Sequence, residues 1–304
     1  MAETLILETK IITDRGKTHD AHTRNAVEIA NYLKADLALS QKDYLRLKDR
    51  KYKHIIVSYG SFYSPFDTIA QILANNVGSN FYWLTNEYNV RPISSILKYP
   101  YSIISNVKVE NGVFKKAKKV HLVNLNTLIL REKTQNFSKK YGCVYYGTYR
   151  PDRMPYFKEY LKGEIILSTS KKNLVKFGTF GIKPKFVPPL RWEPNKESLK
   201  LFKYSLYIED IYTHTNYNYL GNRFYESLYC SAIPLFDVNC LNTLKLSGLK
   251  DYEPFLVKNY DDLLLRMQIL NKNYESYQKI IQNWYNDAKI QKNQTLKELG
   301  NILN

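Results

Sequence analysis

A chain of 304 residues, 44% apolar and 24% charged, has a globular composition with room for about two domains, which excludes disorder over most of its length. Lys and Arg number 45 against 28 Asp and Glu, a formal charge of +17 that favours a polyanionic partner: nucleic acid, an anionic membrane face or a multiply charged phosphate ligand. AT-rich coding would enrich Lys, Asn, Ile and Tyr together, but it does not by itself account for the shortage of acids.

The start, MAETLILETK, carries two acids and no long apolar core, so it does not read as a secretory signal. Leu5 to Glu8 reads as a short strand. Thr18 or Asp20 is placed to cap a helix whose apolar face is Ala26, Ile29, Ala30 and Leu33. HIIVS, His54 to Ser58, is a buried strand, followed by a helix over Pro65 to Asn75. FYWLT, Phe81 to Thr85, and VHLVNL, Val120 to Leu125, are further strands. After the polar segment Lys133 to Tyr141 the alternation restarts. Strands are expected at Cys143 to Tyr146, Glu164 to Ser168, Lys185 to Val187, Tyr204 to Glu209 and Ala232 to Phe236. Helices are expected at Pro151 to Leu161, Lys171 to Phe177 and Asn222 to Cys230, with two more between Tyr260 and Leu303 broken near Asn271 to Asn273.

Alternating strand and helix indicates α/β architecture with parallel sheets covered by helices. The expected division is residues 1–138 as one Rossmann-like doubly wound domain, 139–285 as a second, and a terminal helix over 286–304 returning to the first. Two such domains place a ligand cleft outside the carboxyl ends of the strands. No stretch approaches the roughly 20 apolar residues of a membrane-spanning helix. Cys143, Cys230 and Cys240 form no C-x-x-C pair, which suits a reducing cytoplasm rather than a disulfide framework.

The phosphate-binding loop G-x-x-x-x-G-K-[ST], the dinucleotide fingerprint G-x-G-x-x-G, zinc-type His and Cys spacing and an Asp-x-Asp pair are all absent. A bound diphosphate would then be held by the chain's own cations, with no metal in the grip. Gly147-Thr148-Tyr149-Arg150-Pro151-Asp152-Arg153 follows a strand and opens a helix. Gly147 lets the backbone approach a ligand, the helix start offers free N–H groups, and Arg150 and Arg153 on the first turn can grip phosphate oxygens. By itself such a segment is a loop with two solvated arginines. Arg223 and Glu226 are three apart on one helix face. Alone they make an intrahelical salt bridge. Next to a nucleotide, the carboxylate can accept both ribose hydroxyls while the arginine reaches phosphate.

These segments together resemble the sugar-nucleotide domain of phage DNA glycosyltransferases with the two-domain GT-B fold. The matching text is YYGTYRPDRMPYFKEYL (Tyr145 to Leu161), ILSTS (Ile166 to Ser170), LYIED (Leu206 to Asp210) and NRFYESLYCSAIPLFD (Asn222 to Asp237). The resemblance implies that Gly147, Thr148 and Arg150 contact the diphosphate and that Arg223 and Glu226 contact phosphate and ribose. Arg153 is one residue ahead of the family's second arginine, where this chain has Met154.

An inverting transfer also needs a carboxylate to take the proton from the acceptor hydroxyl. Glu87, just past FYWLT where strand ends face the cleft, is the first candidate and Asp20 its rival. Their plain alternatives are a loop acid and a helix cap. His54 and His121 lie in apolar strands as structural residues, and His214 precedes the Arg223 helix. The expected activity is transfer of a sugar, UDP-glucose or a related UDP-sugar being the donor, to the hydroxyl of a hydroxymethylated pyrimidine in duplex DNA, with the base flipped out. The place of action would be the cytoplasm of a phage-infected host. A transferase acting on polysaccharide or a lipid-linked glycan, and a non-enzymatic DNA-binding protein on a degenerate transferase fold, are the alternatives.

Overall fold

Strands that read as short unbroken apolar runs need cover on both faces, and parallel sheets with helices on either side provide it. In the computed structural model these runs form two six-stranded sheets, with every neighbouring pair parallel. The structure describes residues 2–8, 21–58, 66–86, 94–107, 112–133, 138–192, 196–209 and 219–304. Two compact units divide the chain, Met1–Ile129 with Ile290–Asn304, and Leu130–Lys289.

Unit 1 holds β1 (Thr4–Glu8), β2 (Asp36–Ala38), β3 (His54–Ser58), β4 (Asn80–Thr85), β5 (Tyr101–Ser105) and β6 (Val120–Leu122), in the order β2-β1-β3-β4-β5-β6. Its helices are α1 (Ala21–Leu33), α2 (Gln41–Leu47), α3 (Phe66–Asn75) and α4 (Gly112–Lys116). The expected face of α1 is buried: Ala26, Ile29 and Ala30 pack with Ile6, Ile56 and Ile104, and Leu33 lies against them. Sequence periodicity passed over β2, β5, α2 and α4. The three residues of β2 are too few to show a period, and α2 is set mainly by its cap, where Ser40 and Asp43 bond each other's backbone N–H. The strand expected over Val120 to Leu125 ends at Leu122. The chain then turns through a 3-10 segment, Leu125–Ile129, that carries Leu125 and Leu128 into the core.

Unit 2 holds β7 (Tyr141–Tyr146), β8 (Ile166–Ser168), β9 (Lys185–Val187), β10 (Phe202–Tyr207), β11 (Ile233–Asp237) and β12 (Leu256–Val257), in the order β12-β11-β10-β7-β8-β9. A 3-10 turn, Pro151–Arg153, leads into α5 (Met154–Tyr160), because the prolines suit a helix start. Then come α6 (Lys171–Thr179), α7 (Asn222–Tyr229), α8 (Leu241–Leu246), α9 (Tyr260–Lys272) and α10 (Tyr274–Leu303). Asn273 separates the last two helices, within the expected break. Early in α10, Trp284 packs on Phe224, Phe236 and Phe255 in unit 2. From Ile290 the helix belongs to unit 1, where Leu296, Leu299 and Leu303 join the core.

Strand order reverses between β1 and β3 in unit 1, and between β7 and β10 in unit 2. In doubly wound sheets the crevice outside the carboxyl ends of strands at such a reversal is where ligands bind.

Candidate functional site

At the unit 2 reversal, β7 ends in buried Tyr145 and Tyr146 and runs into Gly147, while β10 ends at Tyr207 and continues through Ile208 to Glu209. The helix that follows, α7, begins after Gly221 and brings Arg223 and Glu226 to the same place. Arg223 and Glu226 then straddle Tyr146. Arg223 Nε donates to the Tyr146 carbonyl at 3.0 Å, and the Tyr146 hydroxyl donates to Glu226 Oε2 at 2.9 Å. Burial, reinforced by the Glu226 carboxylate, pushes the Tyr146 pKa well up, so the phenol keeps the proton it donates. The Arg223 guanidinium also lies over the rings of Tyr145 and Tyr146, at 5.2 and 5.8 Å from their centroids.

A buried carboxylate joins two arginines here. Glu209 Oε1 accepts from Arg223 Nη1 at 2.8 Å, and its Oε2 accepts from Arg153 Nη2 at 2.7 Å. Arg153 is itself buried, with Nη1 at 3.4 Å from both the Tyr145 hydroxyl and the Ile208 carbonyl. Burial opposes the charge of Arg223, but Tyr145 and Glu209 beside it outweigh that cost and hold its pKa above the ordinary value.

Gly147 has φ +150°, and a Cβ there would stand 2.8 Å from Arg223 Nη2. Only glycine meets both demands. The loop is fixed on its other side by Thr169, whose hydroxyl donates to the Gly147 carbonyl at 2.6 Å, and by Tyr149, whose ring stacks on Phe180. Thr148 and Arg150 are exposed on this loop.

The fold therefore brings Gly147, Arg153, Arg223 and Glu226 into one constellation, with Thr148 and Arg150 on the adjoining loop. Arg153 does not lie solvated on the helix's first turn; it points inward to Glu209. Sequence reading missed Glu209 and Tyr146 as members of the site. The available signal was LYIED, an apolar strand running straight into acids. An acid at the buried end of a strand needs a cation within reach. Glu87, Asp20 and His214 lie outside the described residues.

The carboxyl edge of unit 1 has another character. β1, β3, β4 and β5 end in buried Glu8, Ser58, Thr85 and Ser105. Ser58 donates to Glu8 Oε2 at 3.0 Å, and Asn86 and Asn106 both donate to Asn126 Oδ1, at 3.4 and 2.9 Å. Among the described residues, no three His, Cys, Asp or Glu gather to hold a metal ion, and no helix is long and apolar enough to cross a membrane. Cys143, Cys230 and Cys240 are buried free thiols whose pKa values burial pushes up.

No protein-family model matches the chain, and no curated protein matches it in sequence. Solved structures do resemble it. T4 phage BGT in complex with UDP-glucose is similar with a TM-score of 0.76 at 15% identity, over 99% of each chain. The same T4 phage protein with UDP and Mn2+ gives a TM-score of 0.74 at 15% identity, again over 99% of each chain. Anabaena HepE with UDP and glucose gives 0.59 at 9% identity over 99% of each chain. The chain has the two-domain α/β fold of GT-B glycosyltransferases, and its resemblance to phage β-glucosyltransferase extends over both units.

Proposed function

We propose that the protein is a hexosyltransferase that moves glucose from UDP-glucose to the hydroxyl of a hydroxymethylated pyrimidine in duplex DNA. The observation that carries this reading is the Arg223–Glu226 pair set about Tyr146 at the strand-order reversal of unit 2. A diphosphate needs fixed cations and a ribose needs a fixed carboxylate, and both are supplied there. Neighbours of the same fold hold UDP-glucose, and one of them is a DNA-modifying β-glucosyltransferase.

In this mechanism Arg223 and exposed Arg150 take the diphosphate oxygens, the loop amides after Gly147 add N–H donors, and Glu226 accepts from the ribose. The acceptor oxygen attacks the anomeric carbon as the bond from that carbon to the diphosphate oxygen breaks. The electron pair leaves with UDP, where fixed cations stabilise the developing charge. The acceptor proton passes to a carboxylate, assigned to Glu87 after β4 with Asp20 as its rival. The grip on the donor uses this chain's own cations. The target base leaves the stack to bring its hydroxyl to the sugar. The charge of +17 suits a polyphosphate acceptor in the cytoplasm of an infected host cell.

The deciding experiment incubates the protein with labelled UDP-sugars and DNA duplexes carrying hydroxymethylated or ordinary pyrimidines. Label in the hydroxymethylated duplex alone, with UDP released in equal amount, is the expected result. UDP-glucose binding without transfer to any duplex would overturn the DNA acceptor and leave the donor site standing.

A further inference from the structure

We infer that Glu209 is the positioning residue of the diphosphate grip, acting through Arg223, an inference that rests on reading this site as a UDP-sugar site. Glu209 is the buried acid just beyond β10, and a carboxylate so placed is costly unless cations pair with it. Its two oxygens divide the task. Oε2 is held by Arg153 at 2.7 Å and Oε1 holds Arg223 at 2.8 Å.

Arg223 is a long side chain with many rotamers when free. Here Nε is tied to the Tyr146 carbonyl at 3.0 Å and Nη1 to Glu209, and these two bonds define the guanidinium plane. The remaining nitrogen, Nη2, then falls beneath Gly147, 2.8 Å from where a Cβ would stand. That nitrogen faces the loop that receives the diphosphate. Without Glu209 the guanidinium keeps its Nε bond and only a long Nη1 contact, 3.5 Å, to the Ile208 carbonyl, and Nη2 loses its fixed address.

Arg153 does not reach the ligand in this arrangement. Its Nη2 is spent on Glu209, and its Nη1 lies near the Tyr145 hydroxyl and the Ile208 carbonyl. It braces Glu209 from behind. Gly221 closes the other side, where a Cβ would come within 3.1 Å of Glu209 Oε1. The order of support is Arg153, Glu209, Arg223, phosphate. The geometry thus separates two arginines of one loop-and-helix region into a ligand contact and a brace.

The test is a calorimetric cycle with UDP on the wild type, Glu209→Gln, Arg223→Ala and the double variant. Glu209→Gln is expected to weaken UDP binding about ten- to a hundredfold, the range for a hydrogen bond to a charged group. Because Glu209 acts through Arg223, adding Glu209→Gln to Arg223→Ala should cause no further loss. Additive losses, or unchanged or tighter binding by Glu209→Gln, overturn the inference. Glu209→Asp keeps the charge on a shorter stem and serves where the Gln variant does not fold; it should lose affinity in the wild-type background only. A second arm observes the Arg223 Nε–H by 15N NMR without nucleotide, assigned with Arg223→Lys. It should be protected in the wild type and exchange-broadened in the Glu209 variant. If the wild type fails to bind UDP, the donor reading falls, and the NMR arm still judges Glu209: an unaltered Nε–H signal overturns its positioning role.

Discussion

At the carboxyl edge of its sheet, unit 1 ends β3, β4 and β5 in Ser58, Thr85 and Ser105 and holds a buried acid, Glu8, that accepts from the Ser58 hydroxyl. At the same edge unit 2 gathers two arginines, two glutamates and two tyrosines in one connected set. Both sheets are parallel and both reverse strand order, so both have the crevice that doubly wound folds use. Strand order alone therefore gives each unit a place to bind. The residues at strand ends and first helical turns decide what is bound. On the proposed reading, the arginine-rich edge takes the nucleotide diphosphate, and the edge of hydroxyls and amides around Glu8 takes the hydroxyl-bearing acceptor.

The comparison breaks most visibly if the two units are altered in turn. Glu87→Gln, in unit 1, keeps the side-chain shape and loses the proposed proton acceptor. It should lower transfer about a hundred- to ten-thousandfold, the usual worth of general-base help. UDP affinity measured by calorimetry should stay unchanged. Normal turnover in this variant, with product NMR showing inversion at the anomeric carbon, would move the role to Asp20. A retained configuration would remove the need for a base.

Arg223→Ala, in unit 2, should act on the donor instead. Loss of one preorganised group facing developing charge typically costs about a hundred- to a thousandfold in rate. UDP titration should show weaker binding in the same variant, and Glu226→Ala should weaken it too. Donor affinity that survives both substitutions would mean that the charged edge is structural.

Leu299→Ala separates stability from site chemistry. Leu299 lies on the part of α10 that completes the unit 1 core, 1% exposed against Ile6, Ile29 and Ile56. Truncation of a core leucine costs about 2–5 kcal/mol, to be read from denaturant melts. At low temperature, where the protein remains folded, UDP affinity should equal that of the wild type, because the proposed donor set belongs entirely to unit 2.

The smallest effect is at His54, at the amino end of β3. It is buried, and neither ring nitrogen has a hydrogen-bond partner. Burial, helped by Lys53, lowers its pKa below 6.5. As pH falls through 6.5 the unfolded chain takes up the proton first, so folded stability declines until the folded-state pKa is passed. His54→Leu removes that linkage. The melting temperature should then fall less between pH 7.5 and 5.5, by about 2–4 °C if the linkage is worth ~1 kcal/mol. An unchanged pH slope would show that His54 carries no such burden.

The sequence by itself determined most of the secondary structure and the parallel class of both sheets. Apolar runs such as HIIVS and AIPLF can be covered only by helices on two faces, and that constraint is local. It also marked Gly147, Arg223 and Glu226, since a glycine at a strand-to-helix turn and an i, i+3 pair on a helix are visible as spacing. Strand order was another matter. Nothing in the spacing of residues sets β10 beside β7 rather than beside β9, because that choice depends on how helices pack over the whole sheet. Glu209 follows from that choice. It is 56 residues from Arg153 and 14 from Arg223, and only the pairing of β10 with β7 puts the three within hydrogen-bond reach. The inward turn of Arg153 has the same origin. A free arginine on a first turn faces water, and this one faces inward because folding has buried a carboxylate that needs its charge.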